Sequence, residues 1–373
     1  MVKISYVEIT ARSDYPTLGR KNLHIWEPTL QTLAKQTMKD FEYIVVDILY
    51  HERPNYFKHH NYGLKIKHVP ADPNIWFDLG LPTECHQINK GFIYSDGEIV
   101  IVNGDSFMYP PDFMEKVWKH YQDGYFACAG FGADLTYYPH EVFEKEKRKR
   151  IKTKVSLTNI IPTDWYRFLG FEGKLQMHER YMSYFDKSDI DKVIIPPNQY
   201  YGASVISLEA ILKTNGFEML LDGDSVLADC DMGMRLELAG YGQKLVLFKD
   251  TYCVEALAEI GWHPRMRNPG IKCNYAIMKF NHRMGRYRAN DPISESDIDW
   301  IINNLCLKGT CGDAEACRRL NPHLYPFWHK KEKELYEYWK KYQVPMSFDL
   351  ELEREMRIDG EEDLYAEGTF VNY

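Results

Sequence analysis

Short apolar runs alternate with helix-period segments over the first 130 residues. Residues 3–10 read as a strand, and residues 28–36 as a helix with Pro28 in its first turn and Leu30 and Leu33 on one face. Residues 41–48, FEYIVVDI, form a nearly unbroken apolar stretch, the pattern of a parallel strand buried on both faces. A third strand is expected at 64–69, a helix at 82–94, a turn at Ser95-Asp96-Gly97 and another buried strand at 98–102. This βαβ rhythm predicts an α/β fold built on a mostly parallel sheet with helices on both faces. Ligands should then gather at the carboxyl ends of the strands.

The rhythm fails over residues 143–197, which open with the basic run 145–154 and continue rich in Tyr, Trp and Asp. We read this as an inserted, partly helical region. A strand is expected at 203–206, a helix capped by Ser207 and ending near Gly216, a helix at 226–239 stopped by Gly240, and a strand at 244–249. From Ser294 the chain reads as helical and charged, ending in an acidic tail. The expected organisation is one α/β domain over 1–290, with a nucleotide-binding half at 1–130 and an acceptor half at 198–290, followed by a helical extension at 291–373.

The composition fits a globular protein, with 45% hydrophobic and 27% charged residues. The net charge of −8 argues against blanket binding to nucleic acid or anionic membrane, though the run at 145–154 could meet phosphates locally or simply be a solvated face. The 27 tyrosines suit stacking on sugars or bases as well as packing; Trp165, Tyr166, Tyr181, Tyr184 and Trp262 are the candidates for an acceptor platform. No charged-then-apolar leader opens the chain, and no stretch approaches the roughly 18 to 20 apolar residues that span a bilayer. The expected setting is cytoplasmic, with the eight cysteines reduced. Cys306, Cys311 and Cys317, with His323 and His329, could ligate a structural Zn²⁺, but they lack a Cys-x-x-Cys knuckle, so free thiols are the default expectation.

The strand at 98–102 runs into Asn103-Gly104-Asp105, which presents an amide and a carboxylate at the ligand edge. Such hard oxygen donors can hold Mg²⁺ or Mn²⁺ against a diphosphate, with Asp105 the direct ligand. Thr10-Ala11-Arg12 and Asp47 stand at the ends of the first two strands, and Asn89-Lys90-Gly91 lies on the helix before the Asn-Gly-Asp turn. In this order and spacing the sequence resembles the family 2 glycosyltransferases of GT-A fold. A second match follows. Ala228-Asp229-Cys230-Asp231, Arg235-Leu236 and Ala239-Gly240-Tyr241 are similar to that family's Glu-Asp-x-Asp…Arg-Leu…Ala-Gly-Tyr signature. The chain departs from the pattern at Asn103, where the family has an Asp, and at Ala228, where it has a Glu.

The resemblance implies a metal-dependent, inverting hexosyltransferase that uses a nucleotide-sugar donor. By it Asp229 is the general base, and Thr10, Arg12, Asp47, Asn89, Lys90, Asn103 and Asp105 contact the donor. Asp105 and His263 would hold Mn²⁺ or Mg²⁺, and Asp231 and Trp262 would face the acceptor. Asp222-Gly223-Asp224 repeats the Asp-x-Asp spelling in a loop, as a decoy or an acceptor contact. The donor nucleotide, UDP or GDP, stays open, as does the acceptor: glycan, lipid, protein or modified nucleic acid. A nucleotidyltransferase would normally carry a Gly-rich basic loop after the first strand, whereas residues 10–20 hold only Gly19. A non-catalytic sugar or nucleic-acid binding protein, in which the acids merely cap helices, is the other alternative.

Overall fold

The computed structural model describes residues 2–10, 27–52, 56–72, 83–104, 107–134, 175–177, 191–200, 203–223, 227–256, 274–301, 341, 347–357 and 363–365. The first half contains β1 (Ile4–Thr10), α1 (Glu27–Ala34), β2 (Phe41–Asp47), β3 (Ile66–Pro70), α2 (Glu84–Ile93), β4 (Ile99–Gly104), β5 (Phe107–Met108), α3 (Phe113–Gln122) and β6 (Phe126–Asp134). The second half adds β7 (Leu175–Met177), β8 (Lys192–Ile194), β9 (Ser204–Ser207), α4 (Leu208–Thr214), α5 (Ala228–Leu238) and β10 (Leu245–Ala256). It closes with α6 (Asn274–Arg283), α7 (Glu295–Ile301), α8 (Leu350–Glu355) and β11 (Asp363–Tyr365).

One sheet runs in the order β11-β3-β2-β1-β4-β9-β6-β10-β5, with β7 on β6 and β8 on β10. The long ladders are parallel: β3 with β2, β2 with β1, β1 with β4 and β6 with β10. All seven residues of β2 are buried, as its unbroken apolar pattern requires. Alternate side chains enter two cores. Val7, Ile44, Val46, Val100 and Val102 meet Ile88 and Phe92 of α2 on one face. Tyr6, Tyr43, Val45, Ile99 and Ile101 meet Leu30 and Leu33 of α1 on the other. The expected α/β class, a mostly parallel sheet flanked by helices, is therefore what the chain adopts.

The sheet is nonetheless mixed. β9 lies antiparallel to β4, with Ile99 opposite Ser207 and Val102 opposite Ser204. An apolar run buried on both faces carries no information about its direction, so this reversal was not legible in the sequence. β6, FACAGFGAD, is rich in small residues and gave no strand signal, and β10 extends past residue 249 to Ala256 through an irregularity between Leu247 and Tyr252. Ser207 does cap α4, accepting a hydrogen bond from Ala210 N at 3.1 Å. The C-terminal segment is built into the same layer: β11 pairs antiparallel with β3, and Leu350 of α8 is fully buried. No described helix is long and apolar enough to cross a membrane.

Two glycines mark close approaches. A Cβ on Gly91 would lie 2.3 Å from Val7 Cγ1, so α2 can sit on β1 only without one. A Cβ on Gly233 would lie 2.1 Å from Pro197 O, a backbone atom that cannot rotate away. The substitution Gly233→Ala is therefore expected to destabilise the fold by about 1–3 kcal/mol, as overpacking does. Denaturant unfolding would measure this, and an unchanged midpoint would show that α5 is free to shift.

Candidate active site

Because β3, β2, β1 and β4 run parallel, their carboxyl ends share one edge of the sheet, where Thr10 stands beside Asp47 and Glu8 beside Asn103. Each of these side chains is buried. Asp47 Oδ1 accepts from Leu49 N at 2.8 Å, and its Oδ2 lies 3.1 Å from His68 Nε2. His68 is itself enclosed by Tyr50 and Phe57. The Asn103 amide donates to the Tyr109 phenol, which bonds in turn to the Tyr6 phenol at 2.7 Å. Burial holds both tyrosine pKa values well above their ordinary range, so both phenols stay neutral.

The crossover helix α2 leaves β3 at this edge and returns to start β4, so its first turn overlooks the strand ends. Its position is fixed by the loop at 215–223. Asn89 accepts from Phe217 N at 2.7 Å and donates to Phe217 O at 2.8 Å. The preceding Gly216 has φ +73° and lies so near Asn89 that a Cβ would come within 2.3 Å of its Oδ1. Asp222 accepts from Cys85 N at 2.8 Å and from His86 N at 3.1 Å, and also meets the His86 ring. Asp222 is thus the cap of α2, where the sequence suggested a decoy or an acceptor contact. Lys90 pairs with Asp72 at 2.9 Å and lies 5.6 Å from the centre of the Tyr94 ring.

The same loop anchors α5. Arg235, 1% exposed, binds Asp231 Oδ2 and Glu218 Oε2, each at 2.6 Å. Burial alone would lower the guanidinium pKa, but Asp231 and Glu218 outweigh it and hold it above its ordinary value. Asp231 therefore points inward. Asp229, two residues earlier, is half-buried and keeps a solvent-facing part, and its Oδ1 accepts from Cys230 N at 2.7 Å. Leu227 begins the helix in the left-handed region, at φ 77°.

Glu84, the first residue of α2, stands within electrostatic reach of Asp229, a neighbour 145 positions on that no local pattern reveals. Burial first, then the charges of Asp229 and Asp222, push its carboxyl up to about 8. The charges of Asp229 and Asp222 therefore both act on the carboxyl at the start of α2.

Comparison with solved structures places Staphylococcus aureus TarS among the similar chains. The form comprising residues 1–349 in complex with UDP-GlcNAc aligns with a TM-score of 0.47 at 12% identity, over 86% of this chain and 76% of that one. The same form in complex with UDP gives a TM-score of 0.46 at 13% identity, over 98% and 97%. No protein-family model and no curated protein matches the sequence.

Arg12, Asp105, Trp262 and His263 lie outside the described residues, as do the basic run at 145–154, the aromatics Trp165, Tyr166, Tyr181 and Tyr184, and Cys306, Cys311 and Cys317 with His323 and His329. Among the described residues no group of three or more His, Cys, Asp or Glu side chains is arranged to hold a metal ion. Cys85, Cys128, Cys230 and Cys253 are buried thiols outside any disulfide.

The Arg235 cluster gives a direct test of how α5 is held. Removing the guanidinium strands Glu218 and Asp231 in the interior, so Arg235→Ala should cost about 3–5 kcal/mol. Chemical denaturation would read the loss, and a change below about 1 kcal/mol would mean that the two acids find water or other partners.

Proposed function

We propose that this protein is a GT-A-like inverting glycosyltransferase that moves a hexose from a nucleotide-sugar donor to an acceptor hydroxyl. One observation supports the reading most: the partly exposed Asp229 stands in the first turn of α5, within electrostatic reach of the first residue of α2, while its neighbour Asp231 is turned away into an ion pair with Arg235. A carboxylate in that position suits general-base work. The acceptor oxygen bonds to the anomeric carbon as the bond from that carbon to the diphosphate oxygen breaks. The acceptor proton passes to Asp229, and the nucleoside diphosphate leaves from the opposite face. Attack from the far side inverts the anomeric centre.

Thr10, Arg12, Asp47, Asn89, Lys90, Asn103 and Asp105 are assigned to the donor side in this reading. Asp47 would meet a nucleoside only by exchanging its contact with Leu49 N or His68. Lys90 would reach a phosphate by leaving Asp72. Asn89 contributes by fixing α2 and the Phe217 loop against each other. A divalent cation, Mn²⁺ or Mg²⁺, on Asp105 and His263 would neutralise charge on the departing diphosphate. Trp262 is assigned to the acceptor side.

Thermal stabilisation by UDP- and GDP-sugars, with and without Mn²⁺, tests the class of ligand. Stabilisation by a nucleotide sugar is expected, and stabilisation by nucleoside triphosphates alone would favour a nucleotidyltransferase instead. With the donor found, Asp229→Asn should lower kcat by about 10²- to 10⁴-fold while donor binding persists; undiminished turnover would remove the base assignment. Asp105→Ala should abolish the Mn²⁺-dependent part of donor stabilisation, and an unaltered metal titration would count against that ligand.

A further inference from the structure

A recess on the flank of the sheet shares no lining residue with the groups assigned to donor, base or metal. Its volume is about 850 Å³, and it lies between α3, the turn after β5, the start of β8 and the middle of β10. Recesses of about 300–1,000 Å³ are the usual size for small-ligand sites. Strand geometry explains why this one exists. β8 covers β10 as far as Phe248, opposite Lys192, and β5 resumes the cover at Val254, opposite Met108. Among the described residues no strand pairs with the stretch between them on that side. On the other side Leu247 pairs with Cys128 and Tyr252 with Gly130, so residues 248–251 of β10 stand against the single residue 129 of β6. Extra residues of this kind bend a strand and re-aim its side chains. Phe248, Lys249, Asp250 and Tyr252 all line the recess.

The lining combines flat apolar faces with both signs of charge. Phe248 stacks on His120 of α3 with ring centres 3.6 Å apart and planes 11° apart, and Tyr125 meets Phe248 edge-on at 5.8 Å. The same lining includes four lysines and four aspartates. His120 Nε2 lies 3.1 Å from Asp250 Oδ1, Lys116 pairs with Asp112 at 2.9 Å, and Lys192 donates to the Tyr125 hydroxyl at 2.8 Å. An ammonium has three donors and a carboxylate about four acceptor sites, so such pairs leave hydrogen-bonding capacity on both partners.

This balance decides the class of ligand. Four positive against four negative side chains give no net attraction for a phosphate or a polyanion. A purely apolar ligand would strip water from the charged groups without replacing its hydrogen bonds. A neutral sugar chain meets both conditions: its hydroxyls donate to carboxylates and accept from ammonium groups, and the C–H faces of its rings pack on aromatic rings. We propose that this recess binds a neutral oligosaccharide. The binding stands apart from the glycosyltransferase reading. Its meaning for catalysis rests on that reading, in which the recess holds a stretch of acceptor glycan that does not itself react. Binding energy from such a remote part of a substrate is available to the reacting centre.

Chitotetraose, cellotetraose and maltotetraose serve as neutral probes and a heparin tetrasaccharide as the anionic contrast, each titrated into the full chain by calorimetry and saturation-transfer NMR. At least one neutral probe should bind, and more tightly than the heparin fragment. Lys192→Ala and Asp250→Ala, both at exposed positions, should each weaken that binding about 2- to 10-fold with Tm little changed. Tyr125→Ala should weaken it to a similar extent through loss of the ring; if that variant folds poorly, Tyr125→Leu removes the aromatic face and keeps most of the bulk. No binding by any neutral probe at millimolar concentration would overturn the proposal, as would preference for heparin. Binding that ignores all three substitutions lies elsewhere on the protein and would overturn it too. UDP separates the two sites, since no residue assigned to the donor lines the recess. Unchanged glycan binding in its presence is expected, and displacement by UDP would move the glycan to the proposed active site and sink the separate recess. Failure of every nucleotide sugar to bind or react, with glycan binding retained, would sink the glycosyltransferase reading and leave this site standing.

Discussion

Two hydrogen bonds between the Asn89 side chain and the Phe217 peptide join halves of the chain that lie far apart in sequence. Each such bond is worth about 0.5–1.5 kcal/mol net, but a buried amide left without partners would cost more. Their larger effect is geometric. With Phe217 held to α2, the residues on either side of it are fixed in turn: Asn215 bonds to Ala289, Phe348 and Leu350, and Asp222 caps α2. Glu218, one residue on, reaches Arg235. A single loop thereby ties α2, α5 and the C-terminal segment to the same point.

That loop also separates two kinds of acid. Glu218 and Asp231 share the single Arg235 guanidinium, which offsets part of their charge where water is excluded. Asp222 is spent on backbone amides. The carboxyl of Glu84 is instead pushed up by burial and by the charges of Asp229 and Asp222. A helix start favours negative charge, while the crowding of carboxyls opposes it. A site that accepts a proton benefits from this tension, because the ionised group is then a better base.

The strand ends supply a stiff floor to the same edge. Asp47, Asn103, Tyr109 and Tyr6 are buried and hydrogen-bonded, so the floor is held by polar contacts within an apolar sheet. Gly91 lets α2 lie directly against β1, which sets the height of Glu84 and Asn89 above that floor.

The amino-acid order alone indicated the α/β class, strands at 3–10, 41–48 and 98–102, helices at 82–94 and 226–239, and the Ser207 cap, each within a few residues of the observed element. These depend on local signals: apolar runs, helical spacing and capping side chains. Its resemblance to a known family set Asp229 as the base and Asp231 on the acceptor side. That Asp231 is instead bound inward to Arg235, beside Glu218, depends on how the 215–223 loop folds back. Asn89 reads as a donor contact in the sequence, whereas in the structure both ends of its amide bind Phe217. The direction of β9, the presence of β6 and the action of the Asp229 charge on Glu84 were decided only by tertiary structure. Each joins segments distant along the chain, and neither strand polarity nor a long-range electrostatic contact leaves a period or a spacing that a linear sequence can display.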